Sequence, residues 1–179
     1  MNTEIMNSAM VNYDALAERM SSLLNRQYVT VYLLHTLEAR AKASGYSGFA
    51  EYFKHEINYR NEVIEEITNQ IIMQDKEIKF SQIDAIPNRG NKLIDLIVIY
   101  DNCIEKNKAC LNELMTFAAQ DVAMKIAIVD IVRISDEKYQ SATIGRIKKM
   151  LSKAVNNYGV MLTIDKLLKD EYSQLNGTC

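Results

Sequence analysis

The chain has 179 residues, 48% hydrophobic and 25% charged, which suits one globular domain with a sizeable core and excludes a disordered segment. Six Gly and one Pro are too few for the turns of a sandwich, a small barrel or a collagen-like array, so the elements must be long. With 21 basic and 23 acidic residues the net charge is −2, and neither nucleic acid nor an anionic membrane is an expected partner.

Apolar residues recur at helical spacing from the start: Leu16, Met20, Leu24, Tyr28, Val31 and Leu34 predict a first helix over 14–43, preceded by a flexible extension, 1–13. Ser44-Gly45-Tyr46-Ser47-Gly48 is a turn. Phe49, Phe53, Ile57, position 60, Ile64, Ile67 and Ile71 then predict a second helix ending near Asp75. Over 76–88, Ile78, Phe80, Ile83 and Ile86 alternate with polar residues and Pro87 closes the segment. A lone strand has no partner, so this is read as an extended crossover that lets the third helix run parallel to the second. The third helix, 90–118, carries Leu93, Ile97, Tyr100, Ile104, Leu111, Leu114 and Ala118. A fourth is predicted over 120–154, with Ile126, Val129, Ile144, Ile147 and Leu151 on one face. After a break at Asn156-Asn157-Tyr158-Gly159 comes a short apolar helix, 160–172, within a C-terminal segment 155–179.

Cys103 and Cys110 would lie about 10 Å apart along one helix, too far to bond. The start of the chain has an acid, Glu4, where a signal peptide has basic residues, and no stretch matches a membrane helix. A reducing, cytoplasmic setting is expected. Without C-x-x-C and with two His, zinc is not.

Four long helices with one long middle connection predict an all-α, up-down four-helix bundle with a crossover and a short fifth helix. Local sequence is more specific. Leu24-Asn25-x-Gln27, Phe49-Ala50-x-Tyr52-Phe53, Lys79-Phe80-Ser81-Gln82-Ile83 with Pro87, Ile104-Glu105-Lys106-Asn107, and Gly159 followed by Ile164-Asp165-Lys166 occur in order along nearly the whole chain. Together they resemble the ferritin subunits of animals and bacteria.

That resemblance implies iron as cargo and a homo-oligomeric cage of about 24 subunits, with the short fifth helix packed around a four-fold axis; the nine Met are scattered among core-spaced positions with no paired pattern for haem, and none is expected. The resemblance also implies a diiron oxidising centre, and most of its ligands are missing. Aligned on the motifs, the first-helix Glu falls on Val31, and Glu-x-x-His falls on Arg60-Asn61-Glu62-Val63. The third-helix Glu is Glu105 and the fourth-helix position is Glu137. Val31 and Val63 offer no lone pair, and Arg60 has only donors and a permanent charge. At the third iron position Tyr59, Tyr139 and Gln140 replace carboxylates, leaving Asp136. No catalytic residue is therefore expected.

Arg60 stands in the second helix's apolar stripe, and Glu137 interrupts the fourth in the same way. Buried charge requires opposite charge, so Arg60 is expected to pair with Glu105 and Glu137. Glu62 and Glu65 fall where animal light chains carry mineral-nucleating carboxylates; without the resemblance they are a solvated face. His55, on the same side, is either a weak metal ligand or simply exposed. Asp130 aligns with one acid of the three-fold entry channel, whose companion position is Ala127. His35 and Glu38, with Glu105 and Glu137, are the alternative: a relocated oxidising site. A protective shell with no iron role is the other.

Overall fold

A computed structural model describes residues 2–83, 93–135, 137–154 and 157–176, with side chains over 12–83, 93–135, 142–154 and 157–175. Its elements are α1 (Asn2–Ala43), α2 (Ser47–Met73), α3 (Leu93–Ala118), α4 (Val122–Ile134), α5 (Glu137–Lys153) and α6 (Tyr158–Asn176). They form the expected bundle, with α4 and α5 end to end as its fourth rod.

α1 and α2 are an antiparallel hairpin. Its tight turn depends on Gly45, whose φ of +79° is costly for any residue with a Cβ. The first helix begins at Asn2 rather than near residue 14, so the stretch expected as a flexible extension is helical. It holds no Gly or Pro to stop propagation.

Leu93, Leu96 and Ile97 of α3 join Phe49 and Phe53 of α2 in one apolar cluster. Leu111, Leu114 and Ala118 join Val63, Ile67 and Ile71 in a second. α2 and α3 therefore run in the same direction, as the long crossover requires. The described part of that crossover lies extended along α1. Asn25 clamps it at two points: its Nδ2 donates to the Lys79 carbonyl (2.8 Å) and its Oδ1 accepts from the Ser81 amide (3.0 Å). Lys76 and Lys79 pair with Asp14 and Glu18 on either side, and Phe80 rests 6.0 Å from the Tyr28 ring. Ile86 and Pro87 lie outside the described residues. Asn25→Ala is expected to cost about 1–2 kcal/mol in denaturant unfolding, and to raise amide exchange at 79–81 ahead of the rest of the chain.

The fourth helix is not continuous. Asp121 caps α4, its Oδ1 accepting from the Ala123 and Met124 amides, and the helix stops at Ile134. Ser135-Asp136 follows, a pair of residue types that favour helix starts over interiors. The Tyr59 hydroxyl donates to the Ile134 carbonyl (2.5 Å), which the break has freed from the helix ladder. The break also resets the face: α4 buries Met124, Ile128 and Ile131, while Ile126 and Val129, expected inside, are 67% and 55% exposed. α4 is apolar nearly all round, so periodicity alone did not choose a face. Ile144, Ile147 and Leu151 of α5 are buried as expected.

α6 is longer than predicted and packs on its own α2. Ile164, Leu168 and Tyr172 are buried there, leaving Val160, Leu162 and Leu167 at the surface of the chain. Contact is closest at Gly48: a Cβ there would lie 1.7 Å from the Asp165 carbonyl oxygen. Tyr46 supplies no side-chain cap to α2. Asp165, from α6, does so instead, its Oδ1 accepting from the Phe49 amide at 3.0 Å.

Candidate functional site: a buried polar layer at mid-bundle

The two apolar clusters are separated by a layer of buried polar side chains. On α1, Gln27 and Thr30 lie between Leu24 below and Leu33 above; on α2, Arg60 lies between Ile57 and Val63; on α3, Asn107 lies between Ile104 and Leu111. All four are 0% exposed. The break between α4 and α5 falls at this level too, with Ser135 buried beside it.

The layer is held by hydrogen bonds across the helices. Arg60 Nη1 donates to Gln27 Oε1 at 3.0 Å. Asn107 Nδ2 donates to Thr30 Oγ1 at 3.0 Å, and the same hydroxyl lies 3.2 Å from Cys103 Sγ. One turn before Arg60 on α2 is Glu56, 4% exposed, whose Oε2 accepts from the Tyr100 hydroxyl at 2.5 Å. The Arg60 guanidinium lies near enough to that hydroxyl to oppose the effect of Glu56 on it. A cation and an anion thus flank one phenol. Burial first, then the Glu56 charge, pushes the Tyr100 and Tyr52 hydroxyls well above the usual phenol range, and Arg60 offsets part of this.

One expected partner of Arg60, Glu105, is corrected here. Glu105 points outward, its side chain 60% exposed and paired with Lys108 at 3.1 Å. It sits one position past Ile104, which takes the buried place on α3. The side chain of Glu137 lies outside the described residues, as do those of Asp136, Tyr139 and Gln140. The opposite charge nearest Arg60 along its own helix is Glu56, which the aligned motifs passed over. A signal for it was present: Phe49, Phe53, Glu56, Arg60 and Val63 follow the same three-and-four spacing.

Val31 packs against the first cluster and Val63 is fully buried in the second. Glu62 and Glu65 are exposed, on the side of α2 away from the core. His55 is half-buried with its ring 5.2 Å from that of Tyr172, and burial pushes it below the usual imidazole range while Glu62 opposes the shift. Asp130 is tied to Arg133 at 2.9 Å. His35 meets Glu38 at 3.8 Å and Glu38 meets Lys42 at 2.6 Å, an ordinary surface chain of charges. Among the described residues, no three His, Cys, Asp or Glu side chains converge as a metal site, so Glu38, His35 and Glu105 are not brought together. No described helix is long and apolar enough to cross a membrane.

No profile of a known protein family matches this chain, and no curated protein sequence does. Among solved structures, an Archaeoglobus fulgidus ferritin, engineered to a closed form by site-directed mutagenesis, superposes with a TM-score of 0.78. Identity is 13%, over 87% of this chain and 94% of that one. The fold is ferritin-like.

Proposed function

We infer that this chain is the subunit of a ferritin-type cage that holds ferric iron as cargo and lacks a dinuclear oxidising centre inside its bundle. The observation that carries this reading is the guanidinium of Arg60, fully buried and held by Gln27 at mid-bundle. A fixed cation with donors only repels a divalent ion and offers it no ligand. The valines at 31 and 63 are packed among apolar side chains, and Glu105 is drawn off to Lys108. Among the described residues the acids left for iron lie on the surface, with Glu62 and Glu65 the pair that would face a cavity.

Two features support an assembly of copies. Val122, Ile126 and Val129, at i, i+4 and i+7, make an exposed apolar stripe along α4. Leu162 and Leu167 leave α6 with apolar surface of its own. Such surface is normally covered.

Light scattering on the purified protein should give a closed particle of about 24 chains. Ferrous iron added in air should oxidise slowly, first order in iron, with no transient blue diferric species in stopped-flow absorbance, and ferric iron should co-elute with the particle. A fast phase saturating at about two irons per chain would overturn the loss of the centre. A particle that retains no iron would instead make it a shell without an iron role.

A further inference from the structure

Three tyrosines link Glu56 to the face of α6. Tyr100 bonds it directly, and Tyr52 and Tyr100 both feel its charge and each other's. Tyr172 of α6 is the third, its ring 5.2 Å from Tyr52 at 66°. Phe53 bridges the rest, 5.4 Å from Tyr52 and 6.4 Å from Tyr100. The chain of rings ends at His55, 5.2 Å from Tyr172 and half-exposed. A continuous aromatic path therefore leads from the polar layer to the surface beside α6.

We propose that Tyr100 and Glu56 form a proton-coupled redox site, fed from the surface through Tyr172 and Tyr52, where one oxidising equivalent is held inside the bundle. The oxidant is a one-electron acceptor in solution, of the class of peroxyl radicals. One electron leaves Tyr100 and tunnels to it along the rings of Phe53, Tyr52 and Tyr172, none of which is itself oxidised. At Tyr100 the phenolic O–H breaks as the electron leaves, and its proton moves to Glu56 Oε2, giving a neutral tyrosyl radical and a neutral carboxylic acid. The oxidant is reduced to its anion and takes a proton from water.

Tyr100 is the terminus because its hydroxyl donates to a buried base. A tyrosyl cation in this buried layer, beside Arg60, would set two positive charges side by side away from water. Its phenolate is disfavoured in the resting state by burial and by Glu56, so loss of the proton has to accompany loss of the electron. Moving the proton to Glu56 neutralises both groups at once. The nearby positive charge of Arg60 then offsets the partial negative charge on the phenoxyl oxygen.

Freeze-quenching the intact protein after mixing with hexachloroiridate(IV), read by electron paramagnetic resonance, tests this. A tyrosyl signal should form, more slowly in heavy water than in light water. Tyr100→Phe should remove that signal, and Glu56→Gln, which keeps an acceptor but no strong base, should slow it by about tenfold or more. An unchanged signal in Tyr100→Phe would overturn the proposal. So would the absence of a solvent isotope effect in the parent protein, a measurement that needs no variant to fold.

Discussion

Arg60→Ala is expected to destabilise the bundle by roughly 3–5 kcal/mol, the cost of removing one of two opposite charges buried on the same face of α2. Glu56 would stay in the layer without that cation, and Gln27 Oε1 would lose a donor. Glu56→Leu combined with Arg60→Met should recover most of that loss, because volume-matched apolar residues need no charge partner and join the two clusters across the layer. Chemical denaturation of parent, single and double variants measures the difference. A double variant as unstable as Arg60→Ala would mean that Arg60 is held by charges other than Glu56. The comparison bears on function, since a bundle centre stabilised by its own cation has no need of a metal there.

Gly48→Ala should cost about 3 kcal/mol, the upper part of the usual range for overpacking. The added Cβ would meet the Asp165 carbonyl oxygen at 1.7 Å, with the Asp165 carbonyl carbon and the Lys169 amide nitrogen both at 2.7 Å. All three are backbone atoms of α6, so no rotamer relieves the clash and the helix must shift or leave. Its departure would uncover Tyr52 and deprive the Phe49 amide of its cap. Asp165→Ala removes the cap and nothing else, and should cost about 0.5–2 kcal/mol with α6 still docked. Limited proteolysis separates the two: rapid cutting around α6 is expected in Gly48→Ala and not in Asp165→Ala. Equal protection in both would show that α6 tolerates a wider gap from α2.

The order of helices, the turn at Gly45, the crossover and the parallel run of α2 and α3 were legible in the sequence, because long amphipathic periods and scarce Gly and Pro leave few arrangements. The stripe of α3 was read correctly, every predicted residue being buried. The motif residues Asn25, Gln27 and Asn107 were visible as a family pattern, but their work was not. Asn25 clamps a segment more than fifty residues away, and Gln27 and Asn107 tie three helices together.

What the chain could not declare by itself lies where two local choices are nearly equal. In α4 apolar residues surround the helix, and packing on α2 and α3 decided that Ile128 goes in and Ile126 out. Arg60 announced a buried charge but not its partner. Glu105 lies on the neighbouring helix and was the plausible acid by alignment, yet Ile104 takes the inward position, and a helix advances about 100° per residue, so Glu105 is turned to solvent and Lys108. Glu56 shares the inner face of α2 with Arg60. The sequence determined that a charge must be buried at mid-bundle; only the packing of α1, α2 and α3 decided which side chains surround it, because burial is a property of a helix's rotation against its neighbours.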